Sequence, residues 1–246
     1  MKSEYSEIYF LSANETNPEG EMALQVLVSK LIDIATAHAN SLGIGNPDMP
    51  DPDMGWVLSR LSVEMTSYPR VNDTIRITTW VESFNRHFSQ RAFAIEDEEG
   101  KVYGYARSIW MVLNTKTRAN AGLGQLQFDQ ALISGRECPI PKQAKHEKIE
   151  CETAATYRFT YCDIDAYRHV NTVRYVQLLL NQKGLPVYDA NRVSRLELSF
   201  LHEARYDETI RIHSSGSADG MTAYYLEDAD DSHPILYARI FLTPRS

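Results

Sequence analysis

The sequence predicts an α+β fold built from two copies of one unit, each a long helix wrapped by an antiparallel sheet. Three observations carry this. A short strand and then helical periodicity open each half, a run of strands with turn signals at short spacing follows, and short strings recur at a fixed offset. Ser59-Arg60-Leu61 returns as Ser194-Arg195-Leu196 and Thr74-Ile75-Arg76-Ile77 as Thr209-Ile210-Arg211-Ile212, both 135 positions later. Near the end Tyr105-Ala106-Arg107 pairs with Tyr237-Ala238-Arg239.

Residues 4–11 read as a strand, and SANETNPEGE is turn chemistry leading to a helix, with Asn17 and Pro18 suited to its N-cap and first position. From there Leu24, Leu27, Val28, Leu31, Ile34, Ala35 and His38 recur at three and four, a wide apolar stripe that Gly43 and Gly45 end. After the Pro/Asp-rich loop 46–55 come four strands, over 56–65, 73–84, 88–96 and 102–113, as a meander. Residues 135–152 lack periodicity and contain Pro and Lys, so they read as a connection between a first domain, 1–134, and a second, 153–246. In the second half 157–162 is a strand and 172–182 a helix that Gly184 and Pro186 stop. Strands follow near 193–202, 207–214, 221–227 and 235–243. A helix followed by a sheet that must bury one face is the hotdog arrangement, so the architecture is a tandem, or double, hotdog packed as a pseudo-dimer.

The chain has 246 residues, 43% of them hydrophobic, enough for full cores and against disorder. Its formal net charge of -8 argues against a nucleic-acid binder, which needs clustered positive charge. Cys138, Cys151 and Cys162 have neither zinc-site spacing nor the even count of a disulfide framework, so no metal or cofactor is expected. Acidic residues occupy the start of the chain where a signal peptide needs an apolar core. The longest apolar runs are too short to span a bilayer. A soluble, cytoplasmic protein is expected.

The chemistry concentrates in DIDAYRHVN, Asp163 to Asn171, where two carboxylates, an imidazole and an amide precede a helix. Asn171 is the natural N-cap, and the first helical turn directs N–H groups toward Asp163, Asp165 and His169. Such donors stabilise a developing oxyanion, and those near Val170 and Asn171 are the expected ones. Capping alone would also place Asp and Asn there. The first half tests that alternative, because it has LSANETNPEG in place of DIDAYRHVN and Ser67-Tyr68-Pro69 in place of His202-Glu203-Ala204.

Residues 163–175, DIDAYRHVNTVRY, resemble the D-x-D-x-N-x-H-V-N-N-V-K-Y signature of the acyl-acyl carrier protein thioesterases. LELSFLHEARYDE, 196–208, is similar to that family's L-E-Y-R-R-E-C-G-R-D block, and 56–73 to a stretch of its first domain. The resemblance covers nearly the whole chain and implies hydrolysis of acyl carrier protein thioesters, releasing fatty acid. It implies Asp165 as base or nucleophile, with His169 and Glu203 orienting water and moving the proton. Two positions depart from the pattern: Tyr167 stands for the signature's Asn, and Ala204 for a Cys once proposed as nucleophile. A thiol mechanism is therefore not carried over. Cys162 is discounted too, as a strand-end cysteine of the kind that packs as a small hydrophobe.

Strict alternation sends Glu203 to the face opposite Leu196, Leu198 and Phe200, which leaves two readings, a surface Glu that ends the strand or one that a bulge re-aims. Leu27, Leu31, Ile34 and His38 are candidate walls for the acyl chain. The expected partner is acyl carrier protein with its phosphopantetheine-linked acyl chain, met by a cationic surface among Arg192, Arg195, Arg205, Lys142, Lys145 and Lys148. A homodimer is compatible with the sequence. Competing readings are an acyl-CoA thioesterase, a non-catalytic acyl-binding hotdog and, less well supported, a dehydratase.

Overall fold

The computed structural model describes residues 3–126, 129–143, 151–216 and 219–245. The chain forms two compact units, the first Met1–Ala23 with Leu27–Gln143, the second Ala144–Ser246 with Leu24–Val26.

The first unit contains β1 (Glu4–Phe10), all but the first three residues of α1 (Leu24–Ser41), β2 (Met54–Met65), β3 (Thr74–Phe84), β4 (Ser89–Asp97) and β5 (Val102–Asn114). Its strands lie in the order β1-β3-β4-β5-β2, each neighbouring pair antiparallel. The second contains β6 (Glu152–Arg158), α2 (Thr172–Leu180), α3 (Leu185–Ala190), β7 (Asn191–Phe200), β8 (Thr209–Ser214), β9 (Met221–Asp228) and β10 (Pro234–Pro244). There the order β6-β8-β9-β10-β7 repeats the first unit strand for strand. Both units are hotdogs, and the repeat read from short strings is a repeat of topology.

The apolar stripe of α1 is buried as its spacing requires, with Leu27, Val28 and Ile34 fully inaccessible. Side chains tie the helix to its sheet: the His38 ring stacks on Tyr5 of β1, and His38 Nδ1 lies 2.7 Å from Arg91 Nη1 of β4. His38, expected as an acyl-chain wall, is instead the partner of a buried guanidinium. Burial lowers the Arg91 pKa to about 10. In the second unit Tyr175 of α2 packs edge-on against Phe159 and Phe200, and Val176 and Leu179 are buried beside it.

Three local expectations change. α1 starts at Leu24, with Ala23 as N-cap, so Asn17 and Pro18 lie in the preceding loop instead of capping the helix. β6 ends at Arg158, and Tyr161–Asp163 is a 3-10 turn. Gly184 and Pro186, read as the end of α2, open α3, where Gly184 is the N-cap and proline suits the first turn.

Residues 133–143 lie against the first unit's sheet. Ile133 bridges Val81, the Trp80 indole donates to Arg136 O at 2.7 Å, and Arg107 donates to Cys138 O at 3.0 Å and to Ile140 O. Cys138 and Ile140 pack with Trp80, Ala92 and Ala94, which closes that face of β3 and β4. Burial pushes the Cys138 thiol pKa up, as suits a packing residue and not a nucleophile.

Candidate active site

The loop between β6 and α2 is a tight, closed turn. Thr160 and Asp163 form a capping box, and buried Asp163 accepts from Thr160 N (2.7 Å), Thr160 Oγ1 (2.9 Å) and the Tyr157 hydroxyl (3.1 Å). Asp165 N donates to His169 O at 2.8 Å, and Asp165 Oδ1 accepts from the amides of Tyr167 (2.8 Å) and His169 (3.2 Å). This winding puts Arg168 at φ 67. Asn171 caps α2 as expected, its Oδ1 accepting from Val173 N at 2.9 Å.

One oxygen of Asp165 therefore serves the loop. Its other oxygen, Oδ2, accepts no hydrogen bond from the described residues. The same turn sets His169, whose Nε2 lies 2.9 Å from Glu203 Oε2. Both side chains are about a quarter exposed, at 23% and 26%, so the pair is reachable from solvent without being a loose surface pair. With Nε2 donating to the carboxylate, Nδ1 carries the lone pair.

Of the two readings for Glu203, the strand end has the bulge. β7 ends at Phe200, and the amides of Leu201 and His202 both donate to Ile235 O (2.9 and 3.4 Å), a bulge that turns Glu203 toward the loop. An isolated bridge between His169 and Arg205 fixes the two segments side by side.

The oxyanion donors require correction. Val170 N donates to Ala204 O (2.8 Å) and Asn171 N to Asp163 O (2.9 Å), so both amides are already occupied. What remains is Thr172, the first residue of α2, one of the positions whose N–H a helix leaves without an intrahelical acceptor. Sequence reasoning missed it. The cap assignment itself pointed there, because the first donors of a helix follow its N-cap.

Cys162 is exposed, not packed in the core, and Tyr167 is 68% exposed while Ala204 is buried. Leu27, Leu31 and Ile34 are at most 1% exposed, inside the first unit's core. Of the nominated cations, Arg195 is 12% exposed and paired with Glu197 at 2.9 Å, which removes it from a docking surface. Arg205 and Lys142 are exposed, Arg192 is half-buried, and Lys145 and Lys148 lie outside the described residues.

The first unit contains the same loop 148 positions earlier. Ser12 and Glu15 form its capping box. Asn17 N donates to Glu21 O (2.7 Å), Asn17 Oδ1 accepts from Glu21 N (2.8 Å), Gly20 sits at φ 70, and Glu21 bridges Arg70. Its last amides are used alike, Met22 N by Pro69 O and Ala23 N by Glu15 O. Glu15 thus matches Asp163, so the first copy keeps the capping carboxylate that the sequence comparison took to be missing. Asn17, Glu21 and Tyr68 stand where the second copy has Asp165, His169 and Glu203. Since the backbone closes identically without them, this trio is not required by the turn.

Fold and site together define a two-hotdog chain with a carboxylate and an imidazole–carboxylate pair at one helix start. The model of the acyl-ACP thioesterase N-terminal domain matches residues 2–123 and that of the C-terminal domain residues 146–238, and the chain belongs to this family. It is 25% identical over 219 residues to a chloroplastic acyl-[acyl-carrier-protein] hydrolase of Cuphea viscosissima, covering 84% of this chain and 53% of that protein. The chain spans about half the length of such curated relatives. The crystal structure of an acyl-ACP thioesterase from Bacteroides thetaiotaomicron superposes with a TM-score of 0.89 at 25% identity, over 98% of each chain. A 12:0-ACP thioesterase from Umbellularia californica shares the fold, with a TM-score of 0.84 at 20% identity over 100% and 99% of the two chains.

Proposed function

We propose that the chain hydrolyses the thioester of acyl-acyl carrier protein, releasing a free fatty acid in fatty acid synthesis. The observation that carries this reading is the exchange of Asn17, Glu21 and Tyr68 for Asp165, His169 and Glu203 on an otherwise duplicated loop. Chemistry is the reason to change those three residues and keep the turn.

Asp165 Oδ2 takes a proton from water as the hydroxide attacks the carbonyl carbon, or attacks that carbon itself to give an acyl–aspartyl anhydride that water then hydrolyses, and the oxyanion that forms lies near the N–H of Thr172. Collapse breaks the C–S bond. The departing thiolate takes up a proton that originates in water, directly or relayed through His169, which Glu203 orients and stabilises when charged. Water and thioester give carboxylic acid and thiol, so no redox partner enters.

Acyl carrier protein is the proposed partner, presenting its acyl chain on phosphopantetheine, and Arg205 beside His169 is the nominated exposed cation. Leu27, Leu31 and Ile34 are proposed to wall the acyl chain in the first domain, 1–134, joined by the connection 135–152 to the catalytic domain, 153–246. No helix among the described residues is long and apolar enough to cross a membrane. The cytoplasm is the proposed compartment for this chain, although the Cuphea relative is chloroplastic by name.

Matched acyl carrier protein and acyl-CoA substrates of graded chain length, assayed for thiol release, test the reading. The carrier thioester is expected to turn over faster. A strong preference for the CoA ester assigns the other handle, and no release from either leaves an acyl-binding protein.

A further inference from the structure

The face of the first sheet that carries the 133–143 segment holds a cavity of about 310 Å³ that the proposed chemistry does not use. Arg60, Ser62 and Lys142 supply its polar lining, and Phe88, Ile109 and Met111 its apolar wall. All of these residues belong to the first unit.

The duplication shows what this cavity lacks. At the offset of 135, Arg60 and Ser62 correspond to Arg195 and Glu197, and through the shared Tyr-Ala-Arg string Arg107 corresponds to Arg239. In the second unit these three form a closed cluster, with Glu197 Oε1 2.9 Å from Arg195 Nε and Oε2 2.8 Å from Arg239 Nε. One carboxylate there lies within ion-pair distance of two guanidiniums. In the first unit a serine replaces that carboxylate. Arg107 finds a substitute in Glu82, through Nε at 2.8 Å and Nη2 at 2.5 Å. Arg60 has no hydrogen bond or ion pair among the described residues, and the same holds for Lys142. Ser62 is 0% exposed, and its Oγ has no hydrogen-bond partner among the described residues. A buried hydroxyl and a half-buried guanidinium left without partners are costly unless something completes them.

We propose that this cavity binds a free carboxylate with an apolar tail, its carboxylate taking the place that Glu197 fills in the other unit. Arg60 holds the carboxylate and Ser62 Oγ donates to it, with the Lys142 ammonium at the rim, while the tail lies on Phe88, Ile109 and Met111. A fatty acid belongs to this ligand class, so the site would sense the kind of product that thioester hydrolysis releases. The binding claim does not depend on that hydrolysis.

Octanoate is the probe, titrated calorimetrically into the full chain, with methyl octanoate as the uncharged control. Ser62→Glu supplies the missing carboxylate from the chain itself. It is expected to abolish one equivalent of octanoate binding and to raise the melting temperature, with thioester hydrolysis retained. Arg60→Gln should weaken the same site by about tenfold or more, the worth of a charge-assisted hydrogen bond, and gives the answer if Ser62→Glu does not fold. An octanoate isotherm unchanged in both variants overturns the proposal, as does methyl octanoate binding equally well. Octanoate binding that is lost in the Ser62→Glu protein supports it even if no thioester is hydrolysed.

Discussion

Asp165→Asn is the most informative single change, because the protein already contains its structural control. In the first unit Asn17 occupies the equivalent position and holds the same turn, its Oδ1 2.8 Å from Glu21 N, as Asp165 Oδ1 holds His169 N at 3.2 Å. The carboxamide oxygen of the variant can make both backbone hydrogen bonds. What disappears is the charge and the basic Oδ2. Stability should therefore stay within about 0.5 kcal/mol of the parent, as for substitutions that break no packing or hydrogen bond. Turnover should fall by roughly a hundredfold to ten-thousandfold, the range of a lost general base, or about 2.7 to 5.4 kcal/mol of barrier. Thiol release at saturating acyl carrier protein thioester, run beside a thermal melt, reads both quantities. Activity within tenfold of the parent would remove Asp165 from the chemistry. A melting temperature lowered by many degrees would instead show that the second loop needs its carboxylate to fold.

Glu203→Gln keeps an acceptor for His169 Nε2 but not the charge that stabilises a protonated imidazole, and should lower turnover by roughly a hundredfold with little change in melting; full activity would reduce Glu203 to a spacer. Arg168 holds φ 67 where the first copy has Gly20 at φ 70. Relief of about 1–2 kcal/mol of left-handed strain, offset by glycine's freedom in the unfolded chain, should leave Arg168→Gly more stable by up to about 1 kcal/mol, and a lower melting temperature would contradict this. The Glu15 carboxyl is held down to a pKa of about 2, from an ordinary 4.5, by hydrogen bonds from Lys30 and the Ser12 amide. A depressed folded pKa means that its contribution is present above pH 4.5 and is lost as pH falls toward 2. Glu15→Gln should flatten that part of the stability–pH curve, measured by denaturant titration at several pH values, whereas an unchanged slope would rule out this pair as its source.

Much of the candidate site was legible because its signals are local. Asn171 is recognisable as a cap from its own chemistry and the apolar spacing that follows it. Glu203 was nominated through family pattern against its strand alternation, and only the bulge at Ile235 O reconciles the two. The amides nominated as oxyanion donors are already bonded, since the acceptors of Val170 N and Asn171 N, Ala204 O and Asp163 O, come from backbone that hydropathy does not describe.

By itself the sequence determined the two-fold repetition, the order of helix and strands in each half, and the segment in which carboxylate and imidazole gather. These depend on periodicity, turn residues and recurring strings, all of which survive in one dimension. Tertiary structure decided which carboxylate the turn consumes. Asp163 and Asp165 look alike in the chain, yet one is taken up by a capping box and the other keeps an oxygen without a hydrogen bond among the described residues. It also decided that Arg60 and Arg195, identical in local sequence, differ in fate, because the residue two positions on is serine in one unit and glutamate in the other and only packing brings it to the guanidinium. Hydrogen-bond accounting belongs to three dimensions, since a polar group is spent or spare according to what the rest of the fold brings within about 3 Å of it.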